Sequence, residues 1–252
     1  MCESDCNEHG RREFLAKGAA LIPAVIGLTA FGNPSVETPI KPILVAPGLS
    51  IYPRTAWGSR LLPKGPLLPE TSVKFLLVHH TAGATKYVAS AVPSKIQQVY
   101  SFHTSAAKGW SDVCYNFFVD RFGGVWEGRQ GSLTGPVMSD ATGGSQGFAQ
   151  LVCLLGNFDI NQPTQPMMES CAAVLAWLAG RYKVSVDQKK TVSFVSRGSN
   201  KWKIGTTVVA RPISGHRDMS ATVCPGRNVY PMLASALPTR IVELQRFQAK
   251  KL

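Results

Sequence analysis

Only five histidines occur in the 252 residues: His9, His79, His80, His103 and His216. Three of them stand where chemistry is expected. His216 lies in "SGHRDMSATVCPG", eight residues before Cys224, and His79-His80 ends the apolar run "VKFLLVHH". Two neutral imidazoles and a thiolate, with the fourth position left to water, make the donor set of a catalytic zinc site; structural sites close all four positions. Strand ends and the loops beyond them are where open α/β sheets place such sites. Alternation lets only one of His79 and His80 face a given side of a sheet, and the apolar Leu77 and Val78 leave that choice open. Singly, a strand-end histidine is more often hydrogen-bonded scaffold than ligand, and a lone cysteine is more often a small buried residue. The combination carries the weight.

The elements that must position these residues follow from periodicity. Residues 73–83 read as a buried strand ending in a glycine turn. Residues 93–105 read as a helix with proline at its start and Ile96, Val99, Tyr100 and His103 at helical spacing. Residues 114–129 form two strand-like runs around "DRFGG", a hairpin signal. "FAQLVCLLGNF" (148–158) is a central strand, and 164–184 a strong helix with Thr164 as its cap. Residues 190–212 read as two edge strands around a Gly-Ser-Asn turn, and 230–248 as a helix with a break at Pro238. The expected fold class is therefore α/β, a mixed central β-sheet flanked by helices.

Composition bounds the rest. Hydrophobic content of 44% and charged content of 17% describe a globular chain with enough length for one sizeable domain. The formal net charge of +12 favours an anionic partner, but no dense basic run or aromatic-interleaved stripe marks a nucleic-acid track. "GRREFLAKGAALIPAVIGLTAFG" pairs Arg11 and Arg12 ahead of Phe14 and Leu15, then runs uncharged from Gly18 to Phe31. That stretch is short for a bilayer span and right for a signal-peptide core. It resembles a twin-arginine export signal, with Gly10 and a late Lys17 as departures. Residues 1–32 are accordingly read as a signal, 33–53 as a Pro-rich linker and 54–252 as the domain. Without residues 1–32 the chain keeps 27 − 3 = 24 basic and 15 − 4 = 11 acidic residues. The exported part is the basic part, and no membrane anchor is expected once the signal is gone. Folding before export argues against reliance on disulfides, so Cys114, Cys153 and Cys171 read as buried apolar residues.

"FLLVHHTAG", "DVCYNFFVDRFGGVWEGR", "LLGNFD" and "SGHRDMSATVCPG", in that order, closely resemble the peptidoglycan recognition protein and type 2 N-acetylmuramoyl-L-alanine amidase family. "TAWGSR" and the "SRGSNKW…GTTV" segment add to the match, which spans roughly residues 54–235. The resemblance implies one Zn2+ per chain held by His79, His216 and Cys224. It implies Tyr115 as the catalytic tyrosine, with Cys114 where the family has glycine, and Thr222 as an active-site hydroxyl two residues before the zinc cysteine. Family members that only bind the wall commonly lack that cysteine; this chain keeps it. The implied activity is hydrolysis of the amide between N-acetylmuramic acid and L-alanine in peptidoglycan by a zinc-activated water. The export signal, of a bacterial kind, adds the expectation of action outside the cytoplasm of a bacterium, and a monomer is expected. The alternatives are a recognition module without turnover and an amidase acting on small soluble muropeptides. His103 is implied to line the peptidoglycan groove. Arg129 offers a planar fork for stem-peptide carboxylates, and Trp57, Trp110 and Trp126 offer faces for sugars. Asp218 reads as a partner for a ligand histidine.

Overall fold

The computed structural model describes residues 40–142 and 148–249; the export-signal reading of residues 1–32, with His9, lies outside them. The strands are β1 (Ile43–Ala46), β2 (Leu49–Tyr52), β3 (Phe75–His80), β4 (Phe117–Val119), β5 (Val125–Glu127), β6 (Ala149–Leu154), β7 (Val192–Val195), β8 (Thr207–Ala210) and β9 (Ile213–Gly215). Seven of them form one mixed sheet in the order β1-β2-β5-β4-β6-β3-β9, while β7 and β8 pair as a separate antiparallel hairpin. The helices are α1 (Thr55–Gly58), α2 (Val92–His103), α3 (Gln165–Tyr182), α4 (His216–Met219) and α5 (Ala236–Ala249).

Both faces of the sheet are covered. On one, Leu76, Val78, Phe117, Val119, Val152 and Leu154 pack with Leu175 and Leu178 of α3 and Ile241 of α5. On the other, Phe75, Leu77, Phe118, Leu151 and Cys153 pack with Ile96, Val99 and Tyr100 of α2 and with Phe194 and Val208 of the β7–β8 hairpin. Two covered faces explain why β3 and β6 are apolar without alternation. Burying one such leucine or phenylalanine side chain contributes about 1.5–3 kcal/mol.

Three sequence expectations need correction. Residues 43–52, within the expected linker, form the β1–β2 hairpin around Pro47-Gly48, and Ile51 of β2 pairs in parallel with Val125. Burial of Leu49 and Ile51 in the core outweighs the extended preference of the surrounding prolines. Residues 190–212 are not edge strands of the main sheet but a hairpin laid on its face. The C-terminal break falls at Ser235, between a 3-10 turn (Tyr230–Ala234) and α5, not at Pro238. Proline needs no amide partner in a first turn, so Pro238 fits inside α5. The other expected elements match in type and place, while β9 and the single-turn helices α1 and α4 add to them.

Helix α3 starts as its sequence suggests: the Thr164 side chain accepts from the Met167 amide and donates to the Arg121 carbonyl at 2.6 Å. Thr164→Ala is expected to cost about 1 kcal/mol in chemical denaturation. An unchanged midpoint would show that the cap contributes nothing. Among the described residues, Cys114, Cys153, Cys171 and Cys224 are buried and form no disulfide. Burial pushes the Cys171 thiol up to about 12, in keeping with an inert core residue.

Candidate metal centre

Register places the two histidines side by side. Strands β3 and β9 run parallel with Leu76 opposite Ile213 and Val78 opposite Gly215, so His79 and His216 follow as the next residues of each. Their rings stack with centroids 4.5 Å apart and planes 27° from parallel. Leu77 faces the α2 side, and two-residue alternation carries His79 to that side as well. His80 turns to the opposite face, where its Nδ1 accepts from the Phe158 amide at 3.2 Å. The structure thus makes the choice between them that alternation in the sequence left open.

Cys224 reaches the pair from the loop after α4. Its Sγ lies 3.8 Å from His79 Nδ1 and accepts from the His80 amide at 3.3 Å. The loop is closed by bonds between its own ends: Arg217 N donates to the Cys224 carbonyl at 3.0 Å, and the Arg217 guanidinium donates to the Val223 carbonyl. The glycines on either side of the His216–Cys224 segment, Gly215 and Gly226, are steric requirements. A Cβ on Gly215 would meet Pro225 Cδ at 2.8 Å, and one on Gly226, whose φ is +98°, would meet the Phe158 backbone at 2.4 Å.

His79, His216 and Cys224 are buried, and their ligand atoms all lie within 4.8 Å of one another. Among the described residues, neither ring nitrogen of His216 has a hydrogen-bond partner. Leaving a buried imidazole so placed costs free energy unless something satisfies it. Two nitrogen donors and one soft sulfur suit zinc better than a hard cation. The residues fit the ion.

The other predicted residues fall in three groups. Tyr115 is with the ligands: its ring lies 5.2 Å from His79 and 5.5 Å from His103. His103 is buried rather than surface-facing, with Trp110 at 4.8 Å on its other side. Trp110 is half-buried, so a row of rings leads from the surface to the ligands. Thr222 is two residues from Cys224, with its Oγ1 accepting from the Cys224 amide at 3.2 Å.

Arg129 stands apart from the expectation of a substrate contact. It is buried and donates to the Val113 carbonyl at 3.1 Å and to Asp140 at 2.6 Å, so it braces the segment that carries Tyr115. Trp57 and Trp126 are also committed to the interior, donating to the Glu127 carbonyl and to Asp120. Asp218 makes no hydrogen bond to the His216 ring; it accepts from Gly215 N at 2.9 Å and from the Tyr230 hydroxyl at 2.6 Å.

Two supports escaped the sequence reading. Asn116 Nδ2 donates to Ser132 Oγ and the Val137 carbonyl, while Oδ1 accepts from Ser139 Oγ and the Leu151 amide. This satisfies all four bonding positions of the side chain and fixes the backbone next to Tyr115. The signal was a single amide between Tyr115 and Phe117 in an apolar run. Arg54 forms a bidentate pair with Asp112 at 2.9 and 2.8 Å and donates to the Gly128 and Leu61 carbonyls. Nothing in local sequence links residues 54 and 112.

A cavity of about 220 Å3 opens at the C-terminal end of β3, lined by Thr81, Gly83, Lys95, Gln98 and Leu155 among others. None of the three ligand residues lines it, nor do they line two larger cavities of about 570 and 510 Å3.

A buried His-His-Cys cluster that could hold a metal ion thus sits at the strand ends of a mixed, helix-covered sheet. A family profile described as N-acetylmuramoyl-L-alanine amidase matches residues 69–227, and the chain belongs to that family. Peptidoglycan-recognition protein SC2 of Drosophila melanogaster is 26% identical over 183 residues, which is 73% of this chain and 84% of the relative. Among solved structures, an N-acetylmuramoyl-L-alanine amidase of Clostridium intestinale aligns with TM-score 0.52 and 18% identity over 73% of this chain and 94% of that one. A human peptidoglycan recognition protein in complex with a glycosamyl muramyl pentapeptide aligns with TM-score 0.55 and 21% identity over 73% and 94%. At these identities the structural likeness concerns the fold.

Proposed function

We propose that this protein is a zinc-dependent amidase that cleaves the bond between N-acetylmuramic acid and L-alanine in peptidoglycan. The observation that carries the reading is the convergence of His79, His216 and Cys224 beside Tyr115. When bound, zinc supplies Lewis acidity, polarising a carbonyl and lowering the pKa of water. The chain's own residues do the rest. Burial around His79 and His216 excludes bulk water and strengthens each electrostatic contact there. The Tyr115 hydroxyl donates a hydrogen bond to the carbonyl oxygen as that oxygen gains negative charge. Thr222 holds the Cys224 amide in place, and Trp110 offers its accessible face to a sugar. Export through residues 1–32 and action on an anionic wall outside the cytoplasm belong to the same proposal.

With Arg129 committed to Asp140, Lys95 becomes the candidate cation for a stem-peptide carboxylate. It lines the cavity beyond β3, its Nζ lies 4.7 Å from the Tyr87 ring centroid, and burial lowers its pKa from the ordinary lysine value. Lys95→Met is expected to raise KM for soluble muropeptides about tenfold at constant kcat, as loss of one charge-assisted bond would. An unchanged KM removes Lys95 from the binding site.

A second reading, recognition without turnover, draws support from the recognition-protein names of the relatives; the retained Cys224 favours turnover. The deciding experiment measures zinc per chain and release of L-alanine amino groups from purified peptidoglycan. One zinc with amino-group release is expected. Zinc and peptidoglycan bound without release would favour recognition, and no zinc would sink the metal reading.

A further inference from the structure

The tip of the β7–β8 hairpin takes no part in the proposed reaction, yet it lies against the loop that carries two of the ligands. Helix α4 is a single turn, so the carbonyls of Arg217, Asp218 and Met219 have no following turn to receive them. The hairpin tip supplies donors to all three. Lys201 Nζ donates to Arg217 O at 2.7 Å and to Asp218 O at 3.4 Å. Trp202 Nε1 donates to Asp218 O at 3.3 Å, and Ser199 Oγ to Met219 O at 3.1 Å. Asn200 then grips the next stretch from both sides: its Nδ2 donates to Ala221 O at 3.1 Å, and its Oδ1 accepts from Ala221 N at 2.9 Å. That two-way contact imitates a β-bridge on the residue before Thr222. The tip is itself fixed, because Ser199 Oγ accepts from the amides of Lys201 and Trp202.

Stem and tip have different tasks. Phe194 and Val208 of the stem are buried against the sheet, so the stem packs the core. Asn200 and Lys201 are exposed and bury little; what they contribute is directional bonding to one loop. Between His216 and Cys224 that loop crosses seven residues, and the ligand atoms at its ends must stay within 4.8 Å of each other and of His79. We propose that the hairpin tip is a clamp on the ligand loop and that Asn200 is a positioning residue, acting on His216 and Cys224 through the Ala221 backbone. The inference rests on the zinc reading of the site. It assigns to an exposed asparagine more than twenty residues from Cys224 an effect on metal affinity.

The test compares the full chain with Asn200→Ala, Asn200→Asp and Lys201→Ala. Zinc affinity is measured by competition with a chromogenic chelator, and amide hydrogen exchange over residues 217–224 is measured in the metal-free protein. Asn200→Ala is expected to weaken zinc binding by about ten- to a hundredfold, the range seen when partners that orient metal ligands are removed. Exchange at Ala221 should quicken while the unfolding midpoint scarcely moves. Asn200→Asp keeps the acceptor for Ala221 N–H and should recover part of the affinity, which loss of general packing would not produce. The visible spectrum of the Co2+-loaded variants should change in the same order. Wild-type zinc affinity or wild-type exchange in Asn200→Ala overturns the clamp. If that variant fails to fold, Asn200→Asp and Lys201→Ala decide by the same two readouts. A wild type that binds no zinc sinks the metal reading instead, and the exchange comparison still decides whether the tip holds the loop.

Discussion

Cys224→Ser is expected to abolish stoichiometric zinc binding and amino-group release together, while the metal-free fold persists. The thiolate is the soft, charged member of the donor set, and a serine hydroxyl replaces it with a neutral, poorly ionising oxygen. Sγ also accepts from the His80 amide at 3.3 Å, a bond that the smaller serine meets less well. Zinc affinity should fall by more than about a hundredfold, since loss of a partner outside the ligand set alone costs up to that much. The loop itself should survive, because Arg217 closes it through the Val223 and Cys224 carbonyls and neither bond involves the sulfur. Elemental analysis after dialysis, amine release and the metal-free unfolding midpoint check the three parts. A variant that keeps one zinc per chain and the wild-type rate would remove Cys224 from the site. Loss of activity with zinc retained would make it a catalytic rather than a ligating residue.

The elements legible in the sequence were those whose signal is local. Helix α3 has an N-cap, a first-turn proline and eighteen residues of helical pattern. The β4–β5 hairpin is announced by its turn, and the apolar runs of β3 and β6 by their length. What was not legible depends on distant partners. Strand β9 is three residues ending in glycine and exists because β3 lies beside it. The β1–β2 hairpin sits among prolines and is fixed by its pairing with β5.

The candidate site divides in the same way. The residue types and the His216–Cys224 spacing were visible, but facing direction was not, because helices and hairpin cover both sides of the sheet and leave β3 without alternation. Arg129 shows the converse limit: a guanidinium suited to a carboxylate was present, and the carboxylate that took it was Asp140 of the same chain. Asn200 and Asp112 act across 21 and 58 residues of sequence, separations at which spacing carries no signal.

Tyr115→Phe separates catalysis from binding most cleanly, and kcat should fall by about 10²–10³ with zinc stoichiometry unchanged. The substitution removes one oxygen and keeps the ring, which packs against His79, His103 and Phe118. These ring contacts are all kept by phenylalanine. The Tyr115 carbonyl accepts from the Arg129 amide at 2.8 Å, and Asn116 anchors the adjacent backbone through four side-chain bonds. A lost donor to a developing oxyanion costs about 2.7–4 kcal/mol of transition-state stabilisation, which sets the size of the effect. Because that bond strengthens only as charge develops, kcat and kcat/KM should fall together and KM should stay near its wild-type value. A rise in KM at constant kcat would make Tyr115 a ground-state contact. A kcat within about twofold of wild type would leave the ring as packing for His79 and place the oxyanion donor elsewhere, with the Thr222 hydroxyl as the next group to remove.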